Sequence, residues 1–375
     1  MYTRTFYARR GGLRIAGFGH LAAWPVRPAR VSIVSLVEQE IRFVETEAGR
    51  LAFATLGTGP PLLISCWWVG HLEYQWESTP FRAWLERLAT RHTVVRYDLP
   101  GSGLSAAAGA VDGAAAEAAV SAALLDELGF GPAVVLGASC GGCSSVVLAA
   151  TRPELVDRLL LYGAYANGRD ITTPEVRESL VRLVLAHWGL GSQMLADVFM
   201  PDADARERED FARYQRRATT AEQAADGFRR VYELEAERWL AEVSVPTLVV
   251  HRRGDRAVPI GLGRDLASRI PGARLVSVNG RDHFPWVGDV DEVLRVVLGF
   301  LGAAAPAADG DAGPLSARER EVLALVALGL SDGEIADQLV VSPHTVHRHV
   351  ANVRRKLRQP SRAAAVAEAA QRGWL

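Results

Sequence analysis

Residues 133–142 read AVVLGASCGG and join a strand pattern directly to a tight turn. The apolar residues Ala133 to Leu136 run into Gly137-Ala138-Ser139-Cys140-Gly141-Gly142, and a helical pattern follows. The glycines permit a turn that is too tight for Cβ atoms. Ser139 then lies at the N-terminus of a helix, where backbone N–H groups and the helix dipole stabilise an oxyanion. The stretch therefore predicts a strand–turn–helix unit that presents a reactive serine.

Further short apolar runs surround this unit between about residues 37 and 301, and they alternate with helical patterns. These runs are 62–65, 93–97, 158–162, 247–251 and 274–278. Apolar side chains at almost every strand position indicate burial on both faces, so we expect an α/β fold, a mostly parallel sheet with helices on either side. The interval 165–240 is rich in Arg and Glu and contains no strand candidate, which predicts an inserted helical cap.

Two polar residues follow predicted strands farther along the chain. Asp255 comes after the run 247–251, and His283 comes after the run 274–278. In a catalytic arrangement, His283 would take the proton of the Ser139 hydroxyl, and Asp255 would orient the imidazole and stabilise the imidazolium. Taken separately, His283 could be an ordinary loop histidine and Asp255 a turn former. The chain order Ser, Asp, His at strand ends favours a catalytic triad.

With these motifs, the segment 37–301 resembles the α/β-hydrolase superfamily over its full length. The resemblance implies the α/β-hydrolase fold, a triad of Ser139, Asp255 and His283, and an oxyanion hole from the backbone N–H of Cys140 and one near Trp67. Many members have His-Gly in the oxyanion loop, whereas residues 65–73 here read SCWWVGHLE.

The two tryptophans of this loop indicate an aromatic-walled site suited to an apolar or ring-shaped ligand. Trp68, His71 and Glu73 are therefore candidates for ligand contact. His71 and Glu73 could equally stabilise the loop.

The segment 315–375 contains three consecutive helix starts with their own capping signals. Two serine–glutamate pairs fit the capping box, and one serine precedes a proline at the first helical position; they are Ser316 with Glu319, Ser331 with Glu334, and Ser342 before Pro343. The third helix has one apolar stripe, formed by Val346, Val350, Val353 and Leu357. Two capped helices, a tight turn and a basic amphipathic helix are typical of a helix-turn-helix.

The charge distribution supports the same interpretation. Residues 341–375 carry seven Arg or Lys and one acid, a formal charge of +6 (7 − 1), although the whole chain is formally −1. A local basic face suits phosphate binding, although a basic helix can also be merely solvated.

The string LSAREREVLALVALGLSDGEIADQLVVSPHTVHRHVANVRRKL resembles the LuxR-type helix-turn-helix, and the resemblance covers essentially all of 315–375. It implies a recognition helix over 343–357 that reads double-stranded promoter DNA. The candidate DNA contacts are Ser342, His344, Thr345, His347, Arg348, Asn352, Arg355 and Lys356. Two positions depart from the family: Arg358-Gln359-Pro360 replaces a glycine turn, and His347 replaces a more usual lysine.

The remaining segments complete the expected domain organisation. Residues 1–36 are rich in arginine and predict a poorly ordered extension, and the Ala-, Gly- and Pro-rich stretch 302–314 predicts a linker. No apolar run approaches the ~18–20 residues of a membrane-spanning helix. Three cysteines in a large chain do not form a disulfide scaffold, no His/Cys cluster supports a metal site, and we expect no cofactor.

Two functions fit this organisation. The first is a cytoplasmic transcription regulator whose hydrolase-like domain senses a small, apolar ligand, with or without hydrolysing it. The second is an active serine hydrolase with an accessory DNA-binding tail. We expect a homodimer, since helix-turn-helix modules of this type act in pairs. The last helix, 361–371, has a thin apolar face that could pack against the module or against the same helix of a second protomer. This face consists of Ala363, Ala364, Val366, Ala367 and Ala370.

Overall fold

The computed structural model describes residues 39–302, except 48, 66 and 107–110, and residues 315–372, except 316, 340–342 and 358. The expected N-terminal extension and almost all of the expected linker lie outside these residues.

An eight-stranded sheet forms the centre of the larger domain. Its strands are β1 Glu40–Thr46, β2 Gly49–Leu56, β3 Pro61–Ile64, β4 Thr93–Tyr97, β5 Ala133–Ala138, β6 Val156–Tyr162, β7 Thr247–Arg252 and β8 Arg274–Val278. Their order in the sheet is β1-β2-β4-β3-β5-β6-β7-β8. Strand β2 is antiparallel to β1 and β4, and the other pairs are parallel. The predicted mostly parallel sheet is confirmed, and the six predicted strands are all present.

Helices cover both faces of this sheet. They are α1 Leu72–Trp76, α2 Thr79–Ala89, α3 Gly113–Glu127, α4 Gly141–Thr151, α9 Ile260–Arg269 and α10 Val290–Phe300, with α5 to α8 given below. Neighbouring residues of one strand point to opposite faces, so Val135 packs in the cluster with α3 and α4 while Leu136 packs in the cluster with α2 and α10. Because both faces are covered, the parallel strands are apolar at nearly every position.

Four helices occupy the chain between β6 and β7. They are α5 Pro174–Ala186, α6 Trp188–Phe199, α7 Ala205–Ala218 and α8 Ala221–Glu233. Capping boxes start α7 at Asp204 and α8 at Thr220, where the side chain of each cap residue accepts a hydrogen bond from the backbone of the third helical residue. We call these four helices the cap.

The C-terminal module consists of α11 Ala317–Ala327, α12 Asp332–Leu339, α13 Pro343–Leu357 and α14 Arg362–Gln371. The predicted capping box before α12 is confirmed, since Ser331 N donates to Glu334 Oε2 at 2.8 Å and Glu334 N donates to Ser331 Oγ at 3.3 Å. On α13, Val346, Val353 and Leu357 are buried, as the apolar stripe predicts. Within the described parts of the chain, no helix is both long and apolar enough to span a membrane.

Candidate functional site

Ser139 lies in the turn between β5 and α4. Its φ is +53°, in the left-handed region of backbone conformations that residues other than glycine rarely adopt. Its backbone N–H donates to Tyr162 O at 2.9 Å. Two glycines make this turn possible. A Cβ on Gly137 would lie 2.4 Å from Ser145 Oγ, and a Cβ on Gly142 would lie 2.5 Å from the Cβ of Ala164. The structure therefore has the strand–turn–helix unit that the sequence predicts around Ser139.

Asp255 and His283 form a buried pair at the same edge of the sheet, in the segments that follow β7 and β8. His283 Nδ1 lies 2.8 Å from Asp255 Oδ2, and both side chains are almost completely buried. Asp255 Oδ1 accepts hydrogen bonds from the backbone of Ala257 at 2.9 Å and of Val258 at 3.0 Å. These contacts stabilise a buried carboxylate, and they fix the imidazole with Nδ1 as the donor.

The second imidazole nitrogen, His283 Nε2, is buried and makes no hydrogen bond to the described residues. It has the lone pair of a general base when Nδ1 carries the proton. Ser139 and His283 are therefore not hydrogen-bonded here. In enzymes without bound substrate, the hydrogen bond between nucleophile and base is often long, and it shortens when substrate binds.

The predicted oxyanion loop follows β3, which pairs with β5. Ser65 N donates to Leu136 O at 3.0 Å, so the loop that leaves β3 and the turn at Ser139 lie at one edge of the sheet. Cys140 precedes α4 and Trp67 follows β3, and an oxyanion hole formed by their backbone N–H groups stays a prediction. Burial raises the pKa of the Cys140 thiol to about 12, so this side chain is not a reactive thiolate.

Aromatic rings from the oxyanion loop, the cap and the His283 segment pack together beside this site. The Trp67 ring centroid lies 4.9 Å from that of Trp286, and the Trp68 centroid lies 4.3 Å from that of Phe228 on α8. Phe199 of α6 stacks on the His283 ring at 5.6 Å. The sequence predicts that the two tryptophans lie at the site. It does not predict the cap rings that pack on Trp68, because no sequence pattern shows where the cap helices lie relative to the loop.

His71 and Glu73 have different surroundings. His71 caps α1, with Nδ1 accepting from Tyr74 N at 3.5 Å, and its ring stacks on that of Tyr74 at 3.7 Å. These contacts favour the loop-stabilising alternative for His71. Glu73 is exposed in the first turn of the same helix. Ligand contact by either residue stays a prediction.

Three buried groups near the triad have no signal in the sequence. The Arg252 side chain is fully buried and lies 3.4 Å from the carboxylate of Asp282. His251 lies 3.8 Å from Asp255, and burial lowers its pKa. Glu117 of α3 is almost completely buried, which raises its pKa to about 7. Charged residues in such patterns are normally solvent-exposed, so sequence reasoning misses them.

The candidate recognition helix is α13. His347 is exposed there, and its Nδ1 lies 3.4 Å from Asp332 Oδ2 at the start of α12. Ser342 lies outside the described residues. The backbone of α13 carries six other candidates whose side chains lie outside the described part: His344, Thr345, Arg348, Asn352, Arg355 and Lys356.

The predicted apolar face of α14 is partly wrong. The buried residues of this helix are Ala365 and Ala369, which pack in a cluster with α11 and α13. The predicted Ala363, Ala367 and Ala370 are exposed. Alanine occurs on all sides of this helix, so composition alone does not identify the packed side.

Two families match separate parts of the chain. Residues 68–288 match the alpha/beta hydrolase fold family, and residues 313–369 match the bacterial regulatory proteins of the luxR family. The first covers more than half of the chain.

Individual proteins are similar over the larger domain. A 2-hydroxy-6-oxononadienedioate/2-hydroxy-6-oxononatrienedioate hydrolase of Escherichia coli O81 (strain ED1a) is 27% identical over 190 residues, which span 48% of this chain and 66% of the relative. Pyrrolizixenacetamide deacetylase of Xenorhabdus hominickii is 26% identical over 69% of this chain and 97% of its own length. The crystal structure of a hydrolase from Pseudomonas aeruginosa PA01 superposes with a TM-score of 0.60 at 26% identity, covering 70% of this chain and 98% of the hydrolase.

The order of the eight strands, the serine turn and the match over 68–288 agree with one another. The chain therefore belongs to the alpha/beta hydrolase fold family, and it carries a LuxR-type helix-turn-helix domain in its C-terminal part.

Proposed function

We propose that this protein is a one-component transcription regulator. Its hydrolase-fold domain binds a small apolar ligand and hydrolyses an acyl bond in it, and its LuxR-type domain binds promoter DNA. The observation that carries the proposal is the union, in one chain, of a LuxR-type domain with a serine turn and a buried histidine–aspartate pair 2.8 Å apart. We propose a cytoplasmic location, because the protein has to meet chromosomal DNA there.

The buried histidine–aspartate pair and the serine turn support the following reaction. His283 Nε2 accepts the proton of Ser139 as Oγ attacks the carbonyl carbon of the substrate. The N–H groups of Cys140 and Trp67 stabilise the oxyanion. The bond to the leaving group then breaks, and the leaving group takes the proton from His283. Water cleaves the acyl-enzyme by the same steps and regenerates Ser139.

The aromatic rings around Trp67, Trp68 and Phe199 support an apolar or ring-shaped ligand. Flat apolar surfaces of this kind contact rings and alkyl chains without a charge partner. The relatives that are named as a hydrolase and a deacetylase support hydrolysis of an acyl bond as the class of reaction.

The DNA partner is double-stranded and contacts α13. The exposed His347 and the candidate residues of this helix would contact base edges and phosphates in the major groove. Two modules would bind a two-fold operator about one helical turn apart, so we propose a homodimer.

A second candidate is a serine hydrolase with an accessory DNA-binding domain. The φ of +53° at Ser139 favours it, because strained backbone at a reactive residue costs stability and persists where chemistry uses it. In this case turnover would continue regardless of DNA, and DNA binding would not respond to the ligand.

The test is labelling with a serine-directed phosphonate, followed by operator titration of the labelled protein. The probe should label the wild type and Ser268→Ala, an exposed serine on α9, but not Ser139→Ala. Labelling that persists in Ser139→Ala would contradict the assignment of Ser139. The wild type could also stay unlabelled while apolar compounds change its affinity for DNA. That outcome would mean that the hydrolase-fold domain is a receptor without catalytic activity.

A further inference from the structure

Cap helix α7 is attached at its start to the segment that carries His283. Asp202, just before the helix, donates its backbone N–H to Asp282 Oδ1 at 2.9 Å and accepts from Arg281 Nε at 2.8 Å. The end of α6 joins the same segment, since His283 N donates to Phe199 O at 2.7 Å. The main chain of the proposed catalytic base is thus hydrogen-bonded to the cap.

The far end of α7 is attached to the oxyanion loop. Tyr214 donates its phenolic O–H to Val69 O at 3.0 Å, two residues beyond Trp67. One turn later, Arg217 pairs with Glu77 at 2.9 Å, and its guanidinium lies 4.2 Å from the Tyr74 ring centroid.

Tyr214 and Arg217 lie on α7 itself, and Asp202 lies two residues before its N-cap, Asp204. Helix α7 has 14 residues, which corresponds to about 21 Å at ~1.5 Å per residue. Midway along it, the Phe211 ring lies 5.0 Å from that of Phe284, the neighbour of His283. A movement of this helix should change both segments together, because Tyr214 is hydrogen-bonded to one of them, while Phe211 and the preceding Asp202 contact the other.

We propose that α7 is a positioning strut, which sets the segment 67–77 (the oxyanion loop from Trp67 onward, with α1) and the His283 segment (280–288) relative to one another. Tyr214 and Asp202 are its two positioning residues. Ligand entry beneath the cap would act on the reacting groups through this strut. The effect on rate rests on the proposed hydrolysis, whereas the effect on loop dynamics does not.

The first measurement is ester hydrolysis by Tyr214→Phe, which removes one oxygen and keeps the ring. We expect kcat for a chromogenic aryl ester to fall by about threefold to tenfold, the range of one neutral hydrogen bond, with KM within about twofold. Tyr214 holds the backbone of this loop through Val69 O and does not contact the rings of Trp67 and Trp68, so we expect the position of the oxyanion donors to suffer more than ligand binding. Asp210→Ala is the matched control, since Asp210 is exposed and pairs only within α7.

The second measurement is amide hydrogen exchange of the full chain. Tyr214→Phe and Asp202→Ala should each speed exchange in both 67–77 and 280–288, while Asp210→Ala leaves both segments unchanged. The proposal is overturned if each variant affects only the loop beside it, or if neither loop responds. An inactive wild type would count against the proposed hydrolysis alone, since exchange reports on the strut without turnover.

Discussion

At the level of single residues, Ser139 combines a reactive position with an unfavourable backbone conformation. The left-handed region costs a residue with a Cβ atom about 1 kcal/mol, and glycine is free of that cost. Ser139→Gly should therefore raise the free energy of unfolding by up to about 1 kcal/mol and raise Tm by roughly 2–4 °C, while abolishing hydrolysis.

Ser139→Ala is the control for this prediction. It removes the hydroxyl but keeps Cβ, so it should lose activity without gaining stability. Calorimetry of the two variants separates strain from chemistry. Equal Tm values for both would mean that the turn is not strained.

Glu117 should make stability depend on pH. Burial raises its pKa to about 7 from an ordinary value of 4.5, so between these values the folded protein binds more protons than the unfolded chain. The free energy of unfolding therefore falls as pH rises through this window, by up to roughly 3 kcal/mol at ~1.36 kcal/mol per pH unit.

Glu117→Gln removes this titration. Urea unfolding at pH 5 and pH 8 should show a smaller loss of stability in this variant than in the wild type. Glu127→Gln, an exposed position on the same helix, is the control and should behave like the wild type. A loss in Glu117→Gln as large as that of the wild type would contradict the prediction.

The residues of the candidate site divide into those that the sequence reveals and those that it does not. Ser139, Asp255 and His283 are recognisable because short-range signals mark them: glycines at a tight turn and polar residues after apolar strands. Tyr214 and Arg252 have no such signal, because their importance comes from contacts across 145 and 30 positions of the chain. Such pairings depend on packing, which local pattern does not encode.

At the level of elements, the β5–α4 unit requires glycine where α4 crosses β6. Gly142→Ala places a Cβ 2.5 Å from that of Ala164, and overpacking of this kind costs about 1–3 kcal/mol. Gly299→Ala in α10 meets nothing within 4 Å and should instead stabilise the protein by about 0.5–1 kcal/mol. Chemical denaturation of both variants measures the difference, and equal changes would argue against close packing at the turn.

The sequence predicts the strands of the parallel part of the sheet and not the two strands of its antiparallel edge. Strands β3 to β8 have the continuous apolar runs of buried parallel strands. No residue of β1, which reads EIRFVET, is fully buried, and β2 is buried from Leu51 to Ala54 but contains two alanines, which are depleted in strands. Such short, half-polar stretches are ambiguous between strand and loop.

Helix α13 allows a charge prediction in the DNA-binding module. His347 is exposed there, so His347→Lys adds a full positive charge to the face that would meet phosphate. DNA affinity should rise at low salt, and the slope of log affinity against log salt should steepen by about one unit. Gln371→Lys, exposed on α14, is the control for net charge alone. An identical response from both variants would remove His347 from the DNA contact surface.

At the level of the whole molecule, the two domains must exchange information if the protein is a regulator. The cap covers part of the site, since His283 is only 2% exposed, Phe199 of α6 stacks on its ring and Phe228 of α8 packs against Trp68. Ser139 itself is half-buried, and we expect a bulky adduct on it to contact cap residues such as Phe199. A ligand shifts an equilibrium only by as much as its affinity differs between the two states, and couplings between sites are typically about 1–3 kcal/mol.

Phosphonate-labelled protein should consequently bind operator DNA about 5-fold to 150-fold more or less tightly than unlabelled protein. Light scattering of the same samples should reveal whether dimerisation changes with it. Ser139→Ala exposed to the probe controls for modification elsewhere. If labelled and unlabelled chains bind DNA equally tightly and have the same oligomeric state, the adduct does not affect the helix-turn-helix domain. The protein would then be better described as a hydrolase with an independent DNA-binding domain. A change of the cap around the adduct would in that case leave the affinity for DNA unchanged.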